Sequence, residues 1–172
     1  MKYIVSSVLF ILFFTGCADK VVVNYAPSST MVVKGNVKVG QFEYLPIEKF
    51  KVQSNQIRNT AIGSIIFEKN INEYFRDAVF NESRLVGIKV DGENQVSGEI
   101  NDFLIDDLGF SVDWTLDVKY NVMKNGNLCY SDNKILKKNT SKFINPFGTL
   151  NEVLKLNIEK VFKDIKFVEC IN

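Results

Sequence analysis

The stretch FSVDWTLDVKYNV, from Phe110 to Val122, decides the fold. Phe110, Val112, Trp114, Leu116, Val118, Tyr120 and Val122 are apolar at every second position, and Ser111, Asp113, Thr115, Asp117, Lys119 and Asn121 fill the gaps. A period of two sustained this long is that of a strand with one face on a core and the other towards water. A helix, turning about 100° per residue, would scatter those seven apolar side chains round its axis. The segment is predicted to be the central strand of a sheet.

Working outward, Lys124-Asn125-Gly126-Asn127 carries an Asn-Gly pair, which accepts the positive φ angles of a type I′ hairpin turn. The next strand, Leu128 to about Lys137, is therefore an antiparallel neighbour. It is polar after Tyr130 and belongs at an edge, where lysines discourage association with other chains. On the other side, Asp106-Asp107-Leu108-Gly109 closes a hairpin from a strand spanning Val96 to Ile105. The apolar phase of that strand slips by one near Asn101 and Asp102, which predicts a β-bulge. Leu85 to Val90 reads as a further short strand followed by the turn Asp91-Gly92-Glu93-Asn94, and Asn36 to Tyr44 as the first strand, ended by Pro46.

Two helices complete the pattern. Ala61 to Arg84 carries Ile62, Ile66, Tyr74 and Ala78 beside Phe67, Ile71, Phe75 and Val79, two adjoining stripes at spacings of three and four, with Asn59 or Thr60 as the expected cap. After a loop over Lys138 to Asn145, a second helix starts at Asn145-Pro146 or at Thr149, where Thr149-Leu150-Asn151-Glu152 fits a capping box. It continues through Leu154, Ile158, Val161, Phe162 and Ile165, and Phe167, Val168 and Cys170 form a short apolar tail. The predicted class is α+β: a mostly antiparallel four- to five-stranded sheet with two helices packed on one face. The other face, carrying Asp113, Thr115, Asp117 and Lys119, stays wet or meets a partner.

The 172 residues, 46% apolar and 24% charged, suit one globular domain. Lys2 is the only charge in the first sixteen residues, and without it 20 basic face 20 acidic side chains. Such a balance gives no overall pull on nucleic acid, and none is expected as a partner. There is no histidine, which removes the usual general base and the commonest metal ligand. The chain has no Gly-x-Ser-x-Gly elbow, phosphate-binding glycine loop or zinc-spaced cysteine pair. Asp102, Asp106, Asp107, Asp113 and Asp117 lack the spacing of a calcium loop and read as solvated strand and turn carboxylates. Neither enzymatic activity nor a cofactor or metal is expected. Lys134, Lys137, Lys138 and Lys142 form a basic stretch with two readings: an edge kept from aggregating, or contact with anionic lipid phosphates.

Met1 to Cys17, MKYIVSSVLFILFFTGC, has a positive start at Lys2, an apolar run from Val8 to Phe14, and small residues at Gly16 and Cys17. That is a secretory signal, too short for a membrane-spanning helix of about 20 apolar residues. Phe14-Thr15-Gly16-Cys17 resembles the lipobox of bacterial lipoproteins. The resemblance implies a signal peptide over residues 1–16, cleavage before Cys17, and acyl chains on the sulfur and new amine of Cys17. At about 0.8 kcal/mol per buried CH₂, three such chains anchor a protein permanently. Residues 17–30, with Val21 to Val23 and Pro27-Ser28-Ser29, are expected to be the lipidated cysteine and a tether, and residues 31–172 a single domain. By resemblance to lipoprotein sorting in enteric-type bacteria, Ala18 in place of aspartate after the cysteine implies the outer membrane, with the domain in the periplasm. Cys129 and Cys170 are then an even pair in an oxidising compartment. They are either a disulfide closing a loop of about 40 residues, worth roughly 3 to 4 kcal/mol, or two buried or reduced thiols.

A lipobox followed by this order of strands and helices is similar to the small bacterial envelope lipoproteins that include the YajG type, the LptE assembly factor and the auxiliary lipoproteins of ABC-type lipid transport. The local likeness to the YajG type lies in Ala61 to Val90 and in the strand pair around Val112 to Tyr130. The Gly-Phe-His-Leu-type opening of LptE is replaced here by Ala18-Asp19-Lys20-Val21. The resemblance implies a lipid-anchored, non-enzymatic protein that binds another envelope component, protein or lipid, and supports outer-membrane assembly or maintenance. Direct lipid binding or transport in a groove between helices and sheet, and a surface-exposed adhesin or antigen, are the rival readings. Cys17 is the one residue whose role the resemblance supplies.

Overall fold

A computed structural model describes residues 20–60, 65–142 and 145–172; Cys17 and the signal-like stretch before it lie outside the described residues. The elements in chain order are β1 (Lys38–Tyr44), α1 (Pro46–Phe50), β2 (Arg58–Asn59), α2 (Ile71–Val86), β3 (Gln95–Asp106), β4 (Ser111–Lys124), β5 (Asn127–Ser141), α3 (Pro146–Phe162) and α4 (Ile165–Ile171). The sheet runs β1-β3-β4-β5, with β2 also pairing to β3. β4 lies inside it, antiparallel to β3 and β5 along its whole length. β1 and β2 are parallel to β3, so the sheet is mixed though mostly antiparallel. A parallel pair needs a long crossover, and α2 supplies the one between β1 and β3.

Trp114, Leu116, Val118, Tyr120 and Val122 are all buried, while Asp113, Thr115, Asp117 and Lys119 on the opposite face keep some exposure. α2 packs over β1, and α3 over β4 and β5, on that buried face. Phe42 of β1 meets Phe75 of α2 edge to face at 5.0 Å and Tyr120 of β4 at 5.9 Å, pairs worth about 0.5–1.5 kcal/mol beyond their buried area. The tight turn has Asn125 at φ 52° and Gly126 at φ 79°, the positive angles that the Asn-Gly pair accepts. The bulge predicted near Asn101 is present, since the β3–β4 register shifts between Ile100 and Asp102.

Several boundaries differ from the sequence reading, most of them because a distant partner claims backbone that local periodicity cannot see. The first long helix begins at Ile71, directly after Asn70, rather than at Ala61. Residues 61–64 lie outside the described residues, and Ile66 and Phe67 are bridge residues instead. The Val21 amide donates to the Ile66 carbonyl, and the Phe67 amide to the Asn55 carbonyl. Asn59 belongs to β2, and the Thr60 hydroxyl donates to Asp106 instead of capping a helix. Leu85 and Val86 end α2 rather than open a strand, with Gly87 in the left-handed conformation at φ 98°; only Lys89 makes a single bridge, to Asn36. β5 continues through the expected loop to Ser141, because its partner β4 extends to Ser111 opposite. α3 takes the first of its two expected starts: Asn145 Oδ1 accepts from the Phe147 and Gly148 amides, so Thr149 lies inside the helix and makes no capping box. The apolar tail is a helix, α4, whose first turn is capped by Asp164.

The expected tether is also a correction from Val21 onward. Residues 21–33 lie along the body as a strap crossing α2 and α3. Tyr25 Oη and the Ser28 and Ser29 amides all donate to the Glu82 carboxylate of α2, and Ser29 Oγ donates to Glu159 of α3. Val33 then donates to the Val86 carbonyl. A segment whose amides and hydroxyls are satisfied by carboxylates on two helices is part of the fold rather than a free linker.

Candidate functional site

At the end of the sheet where β3 finishes and β4 begins, the helical layer and the sheet part to leave a cleft of about 190 Å³. Its walls come from six places in the chain: Ile57 and Asn59, Ile65 and Phe67, Ile105 and Asp107, Val112 and Trp114, Thr140 to Lys142, and the first turns of α3 at Pro146, Phe147, Thr149 and Leu150. Ile57, Phe67, Ile105, Trp114 and Leu150 are core residues, so the floor is rigid. Trp114 Nε1 donates to Thr140 Oγ1 at 3.1 Å, which satisfies the indole and orients the ring. Phe147, in the first turn of α3, is 40% exposed at the rim, and Lys142 is exposed beside it. The arrangement suits an apolar group entering a preformed recess, with a cation available for whatever polar group follows it.

The structure separates the four lysines of the basic stretch. Lys134 is engaged with Asp132 at 2.7 Å and Asp164 at 2.6 Å, and Lys138 with Glu152 at 3.0 Å. Lys137 is exposed at the next position of β5, where alternation turns it to the other face, and only Lys142 stands at the cleft. They do not make one lipid-phosphate patch. Of the five aspartates, Asp102 pairs with Arg58, Asp106 accepts from Thr60 and from the Leu108 amide, and Asp113 accepts from Asn139. Asp117 accepts from Asn101, and Asp107 is buried at the cleft wall. Cys129 and Cys170 are joined by a disulfide between β5 and α4. The β4–β5 register passes from Val122 opposite Tyr130 to Met123 opposite Leu128, which leaves Cys129 as the extra residue of a bulge. A bulge re-aims a side chain, and here it brings Cys129 to Cys170.

The Lys134 cluster gives the fold an acid-sensitive contact. Burial alone would raise the Asp164 carboxyl, but hydrogen bonds from Lys134 and Tyr130 reverse this and hold it below the ordinary aspartate value. Its contribution is therefore complete above the unfolded value, about 3.9, and is lost as pH falls through the lower folded value. Asp164→Asn preserves the helix cap, since asparagine caps as well as aspartate, and removes the charge. In urea titrations the variant is expected to be less stable than wild type at pH 7, with the gap narrowing as the pH is lowered below about 4. A gap that stays constant would show that the ionised carboxylate is not what stabilises the contact.

Among the described residues, no helix is long and apolar enough to cross a membrane. No protein-family model matches the chain, and no curated protein matches it. A solved structure shares its fold. Protein XCC0632 from Xanthomonas campestris, described under the family model DUF330, superposes with a TM-score of 0.57 at 11% identity, covering 84% of this chain and 90% of that one. The hypothetical protein CT253 from Chlamydia trachomatis gives 0.48 at 12% identity over 81% of this chain and 100% of that one. The PelC dodecamer from Paraburkholderia phytofirmans gives 0.42 at 9% identity over 77% of this chain and 91% of that one. At such identities the first likeness is one of fold alone, and the weaker two add nothing to it.

Proposed function

We propose that this protein is a lipid-anchored, non-enzymatic envelope lipoprotein, held by acyl chains on Cys17 in the outer membrane with its domain in the periplasm. In this role it binds another envelope component through the cleft and so supports outer-membrane assembly or maintenance. The resemblance to the YajG, LptE and ABC-transport auxiliary lipoproteins agrees with this reading. The observation that carries it is the apolar cleft itself. An apolar cavity of about 150 Å³ admits a benzene ring, whereas sites that enclose a whole small molecule run from about 300 to 1,000 Å³. At about 190 Å³ the recess takes one aromatic or branched side chain, the kind of buried anchor on which protein interfaces concentrate their binding energy.

Lys142 beside the apolar lining favours a second reading, in which the anchor is the end of an acyl chain and the cation meets a lipid phosphate. Mild detergent extraction of the lipidated protein, with mass spectrometry of what accompanies it, separates the two. A recurrent envelope protein at equal abundance is the expected result, and phospholipid or lipopolysaccharide without protein would establish the lipid reading instead. Val112→Trp fills the cleft from its wall and is expected to lower recovery of the partner at least tenfold, a loss of about 1.4 kcal/mol or more in binding. Recovery at the wild-type level with the cleft filled would sink the assignment.

A further inference from the structure

The end of the domain that holds the cleft is also the end from which the chain leaves towards Cys17. Val21 is fixed against Phe67, a cleft-lining residue, by reciprocal backbone bonds between Val21 and residues 66 and 68. Cys17 is four residues before Val21, and four residues span at most about 14 Å when fully extended. An acyl anchor on Cys17 therefore holds this end close to the bilayer.

The surface there has the chemistry of such a contact. The β3–β4 hairpin tip presents Leu108 at 71% exposure and Phe110 at full exposure, and Phe147 is exposed at the same end of the domain, on the cleft rim of α3. They share one end because Ser111 pairs with Ser141, next to Lys142, and because Lys142 and Phe147 line the same cleft as Val112. A tip with leucine and phenylalanine in open water is a liability unless something covers it. Charge does not explain it: Lys20 and Lys142 at this end stand against Glu68, Asp106 and Asp113, which gives no net attraction to anionic lipid. Apolar side chains on a rigid hairpin, within a short reach of an acyl anchor, fit insertion at the interface between headgroups and acyl chains.

We propose that this end is a membrane seat: Leu108, Phe110 and Phe147 enter the leaflet that holds the Cys17 acyl chains, and the cleft opens at headgroup level. The inference rests on the lipidation of Cys17 and extends it from an anchor to a fixed orientation. The test uses the full lipidated chain in phosphatidylcholine liposomes, with a nitroxide label at Leu108→Cys or, at the opposite end just before β3, at Glu93→Cys. Collision with oxygen, which concentrates in lipid, is compared with collision with a water-soluble nickel chelate. The label at 108 is expected to favour oxygen at least tenfold more strongly than the label at 93. Mass spectrometry of the Cys17 peptide reads the anchor separately. An acylated, liposome-bound protein whose two labels are equally open to nickel overturns the seat and leaves the anchor standing. A chain without acyl groups overturns both.

Discussion

Replacing Glu82 by alanine is expected to lower the stability of the domain by about 3 kcal/mol, a loss reported first by the strap that Glu82 holds. The carboxylate is fully buried and accepts three hydrogen bonds from one short segment: Tyr25 Oη at 2.5 Å and the Ser28 and Ser29 amides at 3.0 and 3.1 Å. Among the described residues no lysine or arginine forms an ion pair with it, so these donors are what stabilises its charge. Hydrogen bonds to a charged group are worth about 1.5–3 kcal/mol each, and a buried donor left without a partner costs about 1–3. The full sum is not reached, because the strap can peel into water once its acceptor is gone, and the loss is limited to what docking the strap is worth. Glu82→Gln keeps one acceptor oxygen but turns an NH₂ towards a backbone donor, and is expected to cost only about 1–2 kcal/mol. Hydrogen exchange decides the point. At about 1.4 kcal/mol per tenfold, the Ser28, Ser29 and Val33 amides of the alanine variant should exchange roughly a hundredfold faster, and the β4 amides, which open only with the whole domain, by no more than that factor. Unchanged protection of those three amides would mean that the packing of Val23, Tyr25 and Met31 on the core, and not Glu82, holds the strap. The strap also shortens the span between Cys17 and the body, so the same variant loosens the orientation inferred for the membrane-side end.

What could be read from the sequence was whatever is encoded within a few residues. β4 declared itself because side chains alternate across a sheet, and Val112 to Val122 keep that alternation without a break. The Asn125-Gly126 turn and the phase slip at Asn101 were legible for the same reason: each is a local backbone demand met by a local residue choice. The start of α2 was not legible, because Ile66 and Phe67 sit at helical spacing while their backbone is claimed by Val21 and Asn55. Nor was the strap, since nothing near Ser28 or Ser29 indicates a carboxylate more than fifty positions away. The cleft is the extreme case. Phe67, Ile105, Trp114 and Leu150 each sit in the apolar pattern of their own segment, Ile57 falls in a stretch without one, and only the packing shows that they surround a space. Trp114 held one usable signal: a buried indole needs an acceptor, and Thr140, across the strand pair, falls in a stretch that reads as a loop.

Loss of the disulfide should cost more than loss of the strap's acceptor, and chiefly through the unfolded chain. Cys129 and Cys170 are 41 positions apart, and closing a loop of that length is worth about 4 kcal/mol in the chain-entropy model. The native side of the balance changes little when the bond is removed. Phe167 and Ile171 of α4 are buried, Tyr130 meets Phe167 edge to face at 5.6 Å, and Asp164 caps the helix while accepting from Tyr130 and Lys134. These contacts keep α4 docked without the covalent link. The double variant Cys129→Ser/Cys170→Ser is therefore expected to keep the near-ultraviolet dichroism of the wild type and to unfold about 8–16 °C lower, taking 2–4 °C per kcal/mol for a domain of this size. Reduced wild type should fall at the same temperature, since both lack the same constraint. Coincident unfolding of the oxidised and reduced proteins would show that the 129–170 loop is already constrained in the denatured chain. A variant that has lost its dichroism before unfolding would show instead that the bond, and not the Tyr130–Phe167 and Asp164 contacts, seats α4 on the bulge at Cys129.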